Sequence, residues 1–236
     1  MKKSILIDKE LFPPFSGFPK QGLTFLSQLK KNNNREWFNK HREDYEQNVR
    51  FPMQCLVASL AERMADESPE IEFNATRSIF RIYRDVRFSK NKAPYKTNIA
   101  AVFPLRGKKG PIELPGLYVS IAPGEVFLGG GVYMPSGDQL KAYRRSMVER
   151  PDEFLAVVES KTFRKGFGHI QGENLQRAPI GFPKDHPMLE HLRHKQFYVG
   201  KAYKDAACMR PGFLETAATI YSRTMPLIQW LAKAGK

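Results

Sequence analysis

Leu23, Leu26 and Leu29 recur at helical spacing after Pro19, and this pattern predicts a helix that the run Asn32-Asn33-Asn34 ends. Asn34 is placed to cap a second helix, along which Trp37, Phe38, His41, Tyr45 and Val49 form an apolar stripe. Trp37, Phe38 and His41 are expected in the core. Pro52 kinks or restarts this helix, and Leu56, Leu60 and Met64 carry the stripe to about Ser68. Ahead of both, residues 1–18 contain Pro13-Pro14 and Gly17 and read as an extended arm packed by Phe12, Phe15 and Phe18.

Beyond Arg77 the period changes from helical to alternating. Phe80, Ile82, Val86 and Phe88 fall on one side of a two-residue repeat, and Arg81, Tyr83, Asp85 and Arg87 on the other, which predicts a strand. The apolar stretch Tyr95 to Phe103 can pair with it. Arg106-Gly107-Lys108-Lys109-Gly110-Pro111 reads as a basic loop tip. Leu117, Val119 and Ile121 alternate again, Pro123-Gly124 marks a turn, and Val126-Phe127-Leu128 returns. Turns this short leave no room for crossover helices, so the sheet is expected to be antiparallel.

Ser136-x-x-Gln139 has the spacing of a capping box and opens a helix to about Glu149; Pro151 opens another, with Phe154, Leu155 and Val158 inward. Residues 161–185 are rich in Gly and Lys and read as loop. A short helix from Leu189 to Lys195 and a strand at Gln196 to Val199 follow. A last helix from about Pro211 to Ala232 carries Phe213, Ala217, Ile220, Tyr221, Ile228 and Leu231 inward, with a bend at Pro226. No repeat or linker interrupts the 236 residues. The expectation is one α+β domain spanning 1–236, a central antiparallel sheet flanked by N-terminal and C-terminal helices.

Composition narrows the class further. No apolar run approaches the roughly 20 residues of a membrane helix, and Ser4-Ile5-Leu6-Ile7-Asp8 is too short for a signal-peptide core, so a cytoplasmic protein without a membrane partner is expected. Two cysteines, Cys55 and Cys208, give no disulfide framework. His191-x-x-His194 lacks the order and spacing of a zinc motif, and no cofactor fingerprint is present, so neither metal nor cofactor is expected. Gly129-Gly130-Gly131, ahead of the Ser136 cap, could offer amides to an anion, but such a run more often permits close packing of backbones.

Charge supplies the candidate chemistry. From Arg77 to Lys96 seven basic side chains stand against one acid, a net +6 out of the formal +14 of the whole chain. Planar guanidinium forks with lysine point charges suit phosphate. The candidate ligand-binding residues are Arg81, Arg84, Arg87, Lys92 and Tyr95, with Asp85 orienting the guanidinium groups and standing as the one acid able to act as a base. Arg84 falls on the apolar side of the alternation, so it needs a carboxylate partner or the strand must end or bulge there. The reading preferred from sequence is a small phosphate-bearing ligand. The alternatives are nucleic acid, an enzyme acting on a phosphorylated substrate, and a module docking an acidic protein.

Arg81-x-x-Arg84-Asp85-x-Arg87-Phe88, followed by Asn91-Lys92-x-x-Tyr95, resembles the signature of a mainly bacterial family of similar length, domain of unknown function 2461. Asn32-Asn33-Asn34-Arg35-Glu36-Trp37-Phe38, Ala93-Pro94-Tyr95-Lys96-Thr97 and Gly129-Gly130-Gly131 extend the resemblance over most of the chain. It implies kinship and carries no reaction with it.

Overall fold

The computed structural model describes residues 11–106 and 114–235. The start of the N-terminal arm and the basic tip after Arg106 lie outside the described residues. The chain forms the α+β fold read from the sequence: helices before and after a four-stranded antiparallel sheet of order β1-β2-β3-β4. Its strands are β1 (Ile99–Pro104), β2 (Gly116–Ala122), β3 (Glu125–Val132) and β4 (Phe197–Tyr203). No helix among the described residues is long and apolar enough to cross a membrane.

The described residues fall into two compact units. The first holds residues 11–103, 118–127 and 202–218. In it α1 (Lys20–Lys31) buries Leu23, Phe25, Leu26 and Leu29. Asn34 then caps α2 (Arg35–Lys40), its side chain accepting from the Trp37 N–H at 2.9 Å. The chain breaks at His41, continues as α3 (Arg42–Tyr45), opens into a π-helical turn over Glu46–Arg50, and enters α4 (Phe51–Arg63) with Pro52 in its first turn. Helical backbone runs unbroken through Arg50, and the Phe51 N–H still reaches the Glu46 carbonyl, so the wider π turn is where the helix accommodates a proline that has no N–H to give. Phe38 and Val49 are buried, whereas Trp37 and His41 are only half-buried, their rings stacked at 4.2 Å. Of the three phenylalanines expected to pack the arm, Phe15 and Phe18 are buried and Phe12 is half-buried; the Phe15 N–H donates to Ser59 Oγ, and the Phe18 N–H donates to the Cys208 carbonyl.

The second unit holds residues 104–106, 114–117, 128–201 and 219–235. The capping box forms as read: Ser136 accepts from the Gln139 N–H, and Gln139 reaches back to the Ser136 N–H, opening α5 (Gly137–Glu149). Next come α6 (Pro151–Val158), α7 (Lys161–Phe167) and α8 (Leu189–Leu192). The last helix, α9 (Phe213–Ala234), runs through Pro226. Tyr143, Phe154, Phe197 and Trp230 pack ring to ring in this unit, Phe154 and Trp230 with centroids 4.8 Å apart.

Besides the core placement of Trp37 and His41, two expectations about the elements fail, one of them in part. Residues 161–185 are expected as loop; 168–185 are free of helix and strand, but 161–167 form α7. Ser160 caps it, Phe163 and Phe167 pack one turn apart with rings 5.6 Å apart, and Gly168 ends it at φ +77. Gly166 lies in the interior of this helix and Gly168 is its C-terminal stop, whereas Gly172 and Gly181 lie in the non-helical stretch that follows. The basic run is not a strand either. Its backbone pairs with the partner segment at isolated antiparallel bridges, Ile79 with Ala101 and Tyr83 with Tyr95, and not in a ladder. Between those bridges four steps of one segment face six of the other, so no residue-for-residue ladder can continue. Thr97 and Asn98 bulge within the longer side, and Asn98 donates to Ser120 Oγ at 2.8 Å.

The triple glycine serves the sheet. A Cβ on Gly129 or Gly131 would meet the β4 backbone at Val199 or Phe197, and one on Gly130 would sit 2.6 Å from the Gly116 carbonyl of β2. Close approach of three strands excludes side chains there.

Candidate functional site

The loop from Arg84 to Ala93 is clamped from within. Its neck closes where the Arg84 N–H donates to the Pro94 carbonyl and the Lys96 N–H to the Ile82 carbonyl, both at 2.8 Å. The Arg84 guanidinium crosses the loop to the Ala93 carbonyl at 3.1 Å and Ser89 Oγ at 3.4 Å. Lys92 Nζ donates to the Val86 carbonyl at 3.1 Å and the Arg87 carbonyl at 3.5 Å. Asn91 turns the chain by accepting from the Ala93 N–H at 2.9 Å. The partners of Arg84 are a carbonyl and a hydroxyl; of the two alternatives read from the sequence it is the end of extended pairing at Arg84, and not a carboxylate partner, that the structure shows. Arg84 and Lys92 shape the loop and have donors engaged inside it.

Arg87 and Asp85 form a bidentate pair on the outer side, with Nε 3.0 Å and Nη2 2.7 Å from the carboxylate oxygens. Both are exposed. The Arg87 side-chain and backbone donors hold the Asp85 carboxyl down at about 2, with Arg81 adding to the effect from further away. A carboxylate this acidic is poorly matched to proton abstraction near neutral pH. Arg81 is exposed; its carbonyl accepts from Lys96 Nζ at 3.0 Å, and that ammonium lies 5.0 Å from the centre of the Phe80 ring. Burial, then Arg81, pushes the Lys96 ammonium below its ordinary value.

The alternation placed Phe88 with Ile82 on an apolar face. Ile82 is buried, but Phe88 is 94% exposed, and the Arg87 guanidinium carbon sits 5.7 Å from its ring centre. The reason lies in the neighbours. Once the chain turns at Arg84, Phe88 enters a polar loop ending in Ser89-Lys90-Asn91-Lys92 that offers no apolar surface to cover it. Tyr83 is also half-exposed.

Tyr95 goes the other way: it is buried, stacked on Phe38 at 4.1 Å and 5.4 Å from Tyr83. Burial, then the neighbouring Tyr83 hydroxyl, pushes its phenol up. Asn33 fixes its backbone by accepting from the Tyr95 N–H and donating to the Tyr95 carbonyl, each at 3.0 Å. Arg42, absent from the sequence reading, completes the group. Its Nη2 donates to Asn39 Oδ1 at 3.1 Å, its guanidinium lies 5.5 Å from the Phe38 ring centre, and the nearby Tyr83 hydroxyl raises its pKa. The one sequence signal for this junction is that the Asn33 and Tyr95 segments both belong to the family resemblance.

Elsewhere the chemistry is quiet. Burial pushes the Cys208 thiol up to about 12 and raises Cys55 as well, which leaves little thiolate on either. Among the described residues no group of three or more His, Cys, Asp or Glu side chains is placed to hold a metal.

The comparisons agree with the resemblance. No curated protein matches the chain. A family model described as conserved hypothetical protein, DUF2461, matches residues 21–230, a span that takes in α1, the clamped loop, the whole sheet and most of α9. The chain belongs to the DUF2461 family of conserved hypothetical proteins.

Proposed function

We propose that the chain binds a phosphate-bearing ligand on the outer face of the Arg77–Lys92 segment, and that this ligand is a single strand of nucleic acid. The observation that carries the reading is Phe88, whose ring stands in solvent beside the Arg87 guanidinium. An exposed aromatic flanked by cations is what base stacking on a charged groove requires. Tyr83, its ring 5.4 Å from that of Tyr95, offers a second half-exposed ring, and Arg81 and Lys90 are exposed on the same segment. The formal charge of +14 adds long-range attraction for a polyanion.

A small phosphate compound, the reading preferred from sequence, needs several donors converging on one point. Arg84 and Lys92 point donors into their own loop, and Arg87 shares its fork with Asp85. That distribution favours an extended ligand contacting one cation at a time. The low pKa of Asp85 favours binding over catalysis at this face.

The test is anisotropy titration of a fluorescent oligothymidylate with wild type and Phe88→Ala. Loss of one stacked base corresponds to about 1–3 kcal/mol of binding free energy, with no change in thermal unfolding because the ring is exposed. Equal binding by the variant, or displacement of the strand by equimolar ATP, would contradict the reading.

A further inference from the structure

In the second unit, Lys141, Arg144, Arg145 and Val148 stand at i, i+3, i+4 and i+7 of α5 and so share one face of the helix. With Glu149, Ile180 and Phe182 they line a cleft of about 390 Å³. That volume lies at the small end of ligand pockets, which run from roughly 300 to 1,000 Å³. The lining is unusual in two respects.

First, Arg144 is half-buried without a carboxylate. Its Nε donates to the Leu192 carbonyl at 2.8 Å and its Nη2 to the His194 carbonyl at 3.3 Å. Among the described residues neither Arg144 nor Arg145 is in an ion pair, while Lys141 has Asp138 at 3.2 Å. A partly desolvated guanidinium whose charge is met only by carbonyl dipoles attracts an anion. Second, Ile180 is fully exposed on the Pro179-Ile180-Gly181-Phe182 turn, and Val148 is also exposed. An aliphatic side chain held out over a cleft with cations on its wall presents apolar surface and positive charge to the same occupant.

We propose that this cleft binds a small amphipathic monoanion: an acyl or aryl body against Val148, Ile180 and Phe182, with its carboxylate on Arg145 and the remaining donors of Arg144. A carboxylate suits the planar forks, and Glu149 in the lining disfavours a dianion such as phosphate more than a monoanion. The site is separate from the loop at Arg77–Lys92 and does not depend on its function.

The experiment is an amide NMR titration of the full chain with sodium octanoate, with 1-octanol and inorganic phosphate as controls, on wild type, Arg145→Gln and Ile180→Ser. Both substituted side chains are exposed, so the fold is retained. Octanoate should shift amides at 144–149 and 180–182 saturably. Arg145→Gln should weaken it about tenfold, Ile180→Ser severalfold, and octanol should bind at least about tenfold more weakly than octanoate. Absence of localised shifts, octanol or phosphate binding as tightly as octanoate, or unchanged affinity in Arg145→Gln would overturn the proposal.

Discussion

The Asn33 side chain holds the backbone of Tyr95 from both sides, as acceptor from its N–H and donor to its carbonyl, each at 3.0 Å and 62 residues apart in sequence. One amide thus does the work of a strand neighbour at the point where the regular ladder has already stopped. Removing it leaves two backbone groups beside a buried ring without their partner. Asn33→Ala is expected to cost about 1–3 kcal/mol, read from urea denaturation. Asn33→Asp keeps the acceptor and should lose less. An Asn33→Ala chain as stable as wild type would mean that water replaces both bonds.

Asp85 competes with any bound anion for the Arg87 fork. Asp85→Asn frees those donors and removes a negative charge from the face. Strand affinity in the anisotropy titration is expected to rise severalfold. A fall would show that the carboxylate's orienting role outweighs its competition.

His194 gives the fold a pH dependence. It is buried, its Nδ1 has no partner among the described residues, and burial, with His191 and His169 nearby, lowers its pKa from 6.5 to about 4. Between those values the unfolded chain binds a proton that the folded chain refuses. Stability is therefore full above pH 6.5, declines as pH falls through the window, and levels below about 4. His191 is shifted in the same direction and adds to the slope. Melting temperatures at pH 7 and pH 5 should differ less in His194→Gln than in wild type. An unchanged difference would place the proton elsewhere.

The parts of the fold legible in the sequence are those fixed by local chemistry. Asn34, Ser136 with Gln139, and the Pro123-Gly124 turn each act within a few residues, and the sheet and flanking helices followed from them. The apolar face of α9 was legible for the same reason, since Phe213, Ala217, Ile220, Tyr221, Ile228 and Leu231 are all buried. The basic run was misread because alternation requires a continuous partner, and the unequal spacing between the Ile79 and Tyr83 bridges depends on a bulge at Thr97-Asn98 that no periodicity announces. Phe88 looked like core because its letters alternate with charge, yet a turned loop gave it nothing to pack on. Arg42 and Asn33 act on residues far along the chain, so their roles emerge only when the fold brings α2 and α3 to the loop's neck.

The most direct test of the account is the salt dependence of strand binding. Oligothymidylate affinity is to be measured by anisotropy across a range of potassium chloride concentrations, for wild type and Arg87→Ala. A ligand whose phosphates are met by several cations releases several counterions, so log affinity should fall linearly and steeply with log salt. Losing one phosphate contact should reduce that slope by roughly 0.7 to 1 unit. A nearly flat dependence in wild type, or the same slope in Arg87→Ala, would contradict a nucleic-acid strand on this face.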